Sequence, residues 1–147
     1  MNHTVKTTLS PKGAPVTLEL INPEDLPTPT TYTHVVIASG SRLVFVAGQE
    51  PEGEDGKIVL RGELAVQARQ VFGNVGRALS AAGARPDQVT KITIFVVDYR
   101  REHLPVIEAG RLALFGDHKP ADTLVGVEAL SHPDYLIEVE ALAVIDD

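Results

Sequence analysis

Apolar and polar residues alternate most regularly near the end of the chain. Tyr135, Ile137, Val139, Ala141, Ala143 and Ile145 fall on one face of a strand and are all apolar, while Leu136, Glu138, Glu140, Leu142 and Val144 fall on the other. Two shorter runs, "RLVFVAG" from Arg42 to Gly48 and "ITIFVV" within the strand Asp87 to Val97, are apolar on both faces and read as buried strands. Between them the period changes. Leu64, Ala68, Val71, Phe72, Val75, Leu79 and Ala82 recur at helical spacing, which predicts a helix from Glu63 to Ala82 with Gly83 at its C-terminal cap. A second helix is predicted from Glu102 to Phe115, with Leu104, Ile107, Arg111, Leu112, Leu114 and Phe115 in register. A strand from Thr123 to Leu130 precedes the last one.

Two features complete the pattern. The Glu-Asp-Gly turn in "PEGEDGKIVL" predicts a hairpin whose return strand follows Gly48. Residues 1–33 read as an irregular N-terminal extension, with an edge strand at Val16–Leu20 and a Pro-Thr-rich loop from Asn22 to Thr33. The order is then β-β-α-β-α-β-β, an α/β (α+β) sandwich with two helices on one face of a mixed sheet, all in one domain over residues 1–147. Two helices cover one side only. Leaving several Val, Ile and Leu wet forfeits roughly 25 cal/mol per Å², so the other side calls for self-association, with Glu138 and Glu140 at or near a subunit interface.

Composition narrows the partners. The net charge is −7, from 13 basic and 20 acidic side chains, and no basic run exceeds two residues, which argues against nucleic acid. There is no apolar run of about 18 residues to span a membrane, and the first residues lack the apolar middle of a signal peptide. With no cysteine, thiolate chemistry and zinc–thiolate sites are excluded and a cytoplasmic location follows most simply. His103, His118 and His132 are separated by whole elements and read as surface residues, so no metal is expected. Without a Gly-rich phosphate loop, no cofactor is expected either.

Four segments, in order and correctly spaced, make the chain resemble the RidA/YjgF family, also called endoribonuclease L-PSP. They are "VFVAGQ", "QARQVFGNVGRALSAAGARPDQVTKITIFVVD", "KPADTLVGVEAL" and "LIEVEALAV", and the resemblance runs from about Tyr32 to the end. It implies a chorismate mutase-like fold and a homotrimer with small-molecule clefts between subunits. It implies hydrolysis of reactive imines and enamines to ketoacids and ammonia, with an arginine holding the substrate carboxylate and a glutamate positioning water. The glutamate corresponds to Glu138, a cleft-lining tyrosine to Tyr32, and backbone groups of the G-Q loop to Gly48. Ala121 and Thr123 flank the arginine's position and are assigned to substrate binding with it.

That position holds Asp122. Arginine offers a planar fork of donors to a carboxylate, whereas aspartate offers only acceptors. At ~4 Å and an effective dielectric near 20 the Coulomb term alone is of order 4 kcal/mol, so amino-acid-derived imines lose most of their affinity. Glu108 replaces the family's usual asparagine and Arg111 a frequent aromatic. Arg111 either binds an anion or forms an i,i+3 pair with Glu108. Asp122 either accepts turn N–H bonds or joins Glu138 in a cleft, where paired carboxylates would supply an acid beside a base or attract a cation. The resulting expectation is a cofactor-independent hydrolase or deaminase of a small imine, enamine or related C–N compound, with Glu138 and Asp122 as catalytic residues. A non-catalytic small-molecule binder using the same cleft is the rival, and ribonuclease activity is opposed by the acidic charge.

Overall fold

The computed structural model describes residues 3–9 and 16–146. Seven strands and two helices follow one another as β1 (His3–Leu9), β2 (Val16–Asn22), β3 (Val35–Ser39), β4 (Arg42–Gln49), α1 (Leu64–Ala81), β5 (Val89–Val97), α2 (Leu104–Phe115), β6 (Ala121–Val127) and β7 (Ile137–Ile145). They form a mixed four-stranded sheet of order β4-β7-β5-β6 and an antiparallel sheet of order β1-β2-β3. Only β5 and β6 run parallel in the larger sheet, joined through α2 as a parallel crossover requires.

The predicted faces of the last strand are those observed. Ile137, Val139, Ala141, Ala143 and Ile145 are buried in one core with Ala68, Val71, Phe72, Val75 and Leu79 of α1 and with Ile92, Ile94 and Val96 of β5. Helix α1 keeps its predicted bounds to within a residue. Gly83, at φ 74°, closes it as the residue after the cap. Its N–H donates to the Ser80 carbonyl and that of Ala84 to the Leu79 carbonyl, the paired bonds of a Schellman ending.

The structure corrects three expectations. "PEGEDGKIVL" forms no return strand; a single bridge joins Glu52 to Ile58. Helix α1 takes up this loop's carbonyls instead: Asn74 Nδ2 donates to those of Glu50 and Glu52 at 3.0 and 2.9 Å, and Gln67 reaches Leu60. The partner of β4 is the distant β7. Val16–Leu20 lies in the middle of its sheet, because β1 and the unpredicted β3 pair with it on either side. In α2, Leu104 and Leu112 face outward while Gly110 and Arg111 are buried. Helix α1 approaches so closely there that its bulk replaces side chains of α2.

A Cβ on Gly110 would sit 2.8 Å from Phe72 Cδ2 and 3.3 Å from the Ala68 carbonyl group. Gly110→Ala is therefore expected to destabilise the fold by about 1–3 kcal/mol through overpacking, measured by urea unfolding against wild type; an unchanged midpoint would contradict the close α1–α2 contact.

Candidate active site

Strand alternation settles which candidate residues can meet. Glu138 pairs with Phe95, whereas Asp122 pairs with Ile92. Residues 92 and 95 differ by an odd number, so the two carboxylates leave opposite faces of the sheet. Within one chain Asp122 and Glu138 do not share a cleft, and the predicted residues divide into two groups.

The first group lies beside the G-Q loop. Gly48 sits directly under the Glu138 carboxyl group, so closely that a Cβ there would stand 2.7 Å from its Cδ. A side chain at position 48 would displace the Glu138 carboxyl group. Burial, then the charges of Glu50 and Glu140, raises the Glu138 pKa. The loop is anchored by hydrogen bonds from Ser131 to Glu50 and from the Tyr135 hydroxyl to Glu52. Buried Gln67 accepts from Leu136 N–H at 2.9 Å and donates to the Asp134 carbonyl at 3.0 Å, holding the chain where it enters β7. In the sequence Gln67 is one more residue of the predicted helix. The signal it carried was a polar side chain beside Ala68 on the apolar stripe.

The second group surrounds a cavity of about 350 Å³ beside β6, where Asp122 and Tyr32 meet Glu108, Tyr99, Leu104 and Leu124. A parallel bridge from Thr33 to Ala121 brings Tyr32 there, and Thr33 Oγ1 donates to the Lys119 carbonyl at 2.5 Å. Asp122 is the second residue of β6, not a turn residue, and among the described residues no hydrogen bond reaches its carboxylate, so the turn alternative has nothing to rest on. Its pKa is pushed up to about 6, mainly by burial and then by the Glu108 charge; Arg111 and Lys91 oppose this. Arg111 is 1% exposed and its Nε donates to Glu108 Oε2 at 2.8 Å. That i,i+3 pair is the second of the two roles read for it. Its Nη1 is buried without a hydrogen-bond partner among the described residues.

Two further residues fall elsewhere. Thr123 projects from the sheet face opposite Asp122 and accepts from Lys91 Nζ at 2.5 Å. His118 is not a surface residue: it lies half-buried with Nε2 2.7 Å from the Val89 carbonyl, and burial lowers its pKa.

The raised pKa of Asp122 has a definite sign for stability. An aspartate with an ordinary value in the unfolded chain and one near 6 in the folded protein is ionised more readily on unfolding, so stability falls as pH rises from about 4 to about 6 and then levels. Asp122→Asn is expected to be more stable than wild type above pH 6, on the order of 2 kcal/mol, with the difference closing below pH 4. Thermal melts across that range check it, and a difference independent of pH would count against it.

The comparisons with known proteins bear on the family and the fold. The family model described as endoribonuclease L-PSP matches residues 24–145. A RutC family protein of Pyrococcus horikoshii is 36% identical over 126 residues, 85% of this chain and 96% of its own. A 3-aminoacrylate deaminase, RutC of Acinetobacter baylyi, is 33% identical over 125 residues, 85% of this chain and 96% of its own. Among solved structures, a Rid family protein of unknown function from Yersinia pestis superposes with a TM-score of 0.81 at 33% identity, covering 86% of this chain and 98% of that one. Both expectations drawn from the four segments, the family and its chorismate mutase-like fold, hold. β1 and β2 lie ahead of the matched region.

Proposed function

The chain belongs to the endoribonuclease L-PSP (RidA/YjgF) family, and from that premise we propose that it is a cofactor-independent hydrolase or deaminase acting on a small imine, enamine or related C–N compound. The single observation carrying this reading is the contact of Gly48 with Glu138, which joins two family motifs distant in sequence and sets a carboxylate of raised pKa against the backbone at the end of β4. A deaminase among the relatives supports the reaction class. Glu138 takes a proton from water as its oxygen attacks the C=N carbon. The proton passes to nitrogen, the hydroxyl proton of the tetrahedral adduct follows as its C–N bond breaks, and ammonia leaves a carbonyl product.

Since Glu138 and Asp122 leave opposite faces, a complete cleft joins Gly48 and Glu138 of one subunit to Tyr32 and Asp122 of a neighbour. A cytoplasmic homotrimer, closed over the uncovered sheet face, provides that junction. Phe45 is 75% and Leu43 61% exposed on the face of Glu138, and covering them regains hydrophobic free energy. Asp122 in place of arginine selects substrates that need no carboxylate. The second reading, a binder without turnover, keeps the same cleft.

Ammonia release from freshly generated imines with and without a carboxylate, against the spontaneous rate, tests this. Wild type is expected to accelerate the carboxylate-free imine. Glu138→Ala should lose roughly 10²–10⁴-fold of that rate while keeping its oligomeric mass, and Asp122→Arg should gain the carboxylate-bearing imine. A monomer by light scattering would overturn the shared cleft. Ligand-dependent melting shifts without any turnover would favour the binder.

A further inference from the structure

The pocket around Asp122 carries a charge pattern that points to its ligand. Two carboxylates, Asp122 and Glu108, border one cavity of about 350 Å³, and the remaining wall includes the rings of Tyr32 and Tyr99 with Leu104, Ile94 and Leu124. Behind them stands a single fixed countercharge, the buried Arg111 guanidinium, whose Nε is committed to Glu108 at 2.8 Å. Lys91 is the other cation acting on Asp122, but its side chain belongs to the opposite face, where it donates to Thr123. Within one subunit, two negative groups against one internal positive group leave this part of the cleft one negative charge in excess. The excess resides on Asp122, whose carboxylate has no hydrogen-bond partner among the described residues. A desolvated carboxylate without a partner is costly unless a cation meets it, and aromatic walls add attraction for organic cations.

We propose that the Asp122–Glu108 pocket binds a small organic monocation, a primary ammonium or protonated imine on a short apolar body, with Asp122 as its counter-ion and Arg111 holding Glu108 in place. This names the substrate class for the cleft and rests on the reading of that pocket as the ligand site. One positive charge neutralises the excess, while Leu104, Ile94 and Leu124 take the apolar body. An anionic ligand meets the opposite situation. Arg111 does not line the cavity: its Nε is held by Glu108 and its Nη1, without a partner among the described residues, is buried, whereas both carboxylates at the cavity repel an anion. The inversion depends on three positions together, since Asp122 removes the anion-binding fork, Glu108 adds a second carboxylate, and Arg111 returns only enough charge to neutralise one of them.

The test is calorimetric binding of butylammonium and of butyrate to the full-length protein at pH 7.5 and fixed ionic strength, with wild type and Asp122→Asn. Butylammonium is expected to bind at least ten-fold more tightly than butyrate, and Asp122→Asn to lose at least ten-fold in butylammonium affinity while keeping its own melting transition. Wild type provides a second measurement that needs no variant. As pH falls from 8 to 5 and Asp122 is protonated beside Glu108, Arg111 and Lys91, butylammonium affinity should drop by about ten-fold and butyrate should not follow. Equal or tighter binding of butyrate, or butylammonium affinity indifferent to both the substitution and pH, would overturn the proposal. Butylammonium has no C=N bond, so its binding is read independently of hydrolysis. Binding without ammonia release from any imine sinks the hydrolase and leaves the cation pocket, whereas turnover of a carboxylate-bearing imine without butylammonium binding does the reverse.

Discussion

The alternation of side chains across the β5–β7 pair governs everything else in this protein. One face of that pair is committed to the helices by Ile92, Ile94, Val96, Val139, Ala141 and Ala143, all buried. Every intervening residue must then point the other way. Glu138 and Glu140 are therefore carried to the uncovered face by the packing requirement of their neighbours, and no shift of register could return them without exposing the core. Asp122 is bound by the same rule through its pairing with Ile92, and so stands on the helix side, at the edge where β6 leaves room beside α2.

That edge is electrostatically unusual. Arg111 lies at a position where helix geometry calls for an apolar residue. A buried guanidinium persists only with a counter-ion in good geometry, and Glu108, one helical turn back, supplies it at 2.8 Å. The pair leaves Asp122 near a neutralised couple instead of near a free cation. Its carboxyl group is accordingly set mainly by desolvation, with Glu108 and Arg111 acting on it in opposite directions.

The loop after β4 shows how a site can be built without regular structure. Its carbonyls would need a strand partner in a hairpin, but side-chain amides of α1 satisfy them, and Tyr135 and Ser131 hold its acidic side chains. Those bonds present the backbone at Gly48 to Glu138. Gln67 binds the entry to β7 from the same helix. The helix thus supports both sides of the Gly48–Glu138 contact while contributing only its amide side chains to that task.

By itself the sequence determined both helices, the strands β2 and β4 to β7, which side of β7 is apolar, where α1 ends, and the family. Each of these is a local property, expressed in periods of two or 3.6 residues and in contiguous motifs, so it can be read along the chain. What the chain could not express is which face of a neighbouring element a residue meets. "PEGEDGKIVL" has the composition of a hairpin, and its pairing was lost to the side chain of Asn74 on α1, 22 and 24 residues away from the carbonyls it binds. Val35–Ser39 carries a short run of β-formers whose partner is an N-terminal strand outside the family match. Tertiary structure alone separated Asp122 from Glu138 and united it with Glu108, Arg111 and Tyr32. The reason is physical: a strand's sequence says that its side chains alternate, but strand order and register decide which alternate residues of different strands share a face.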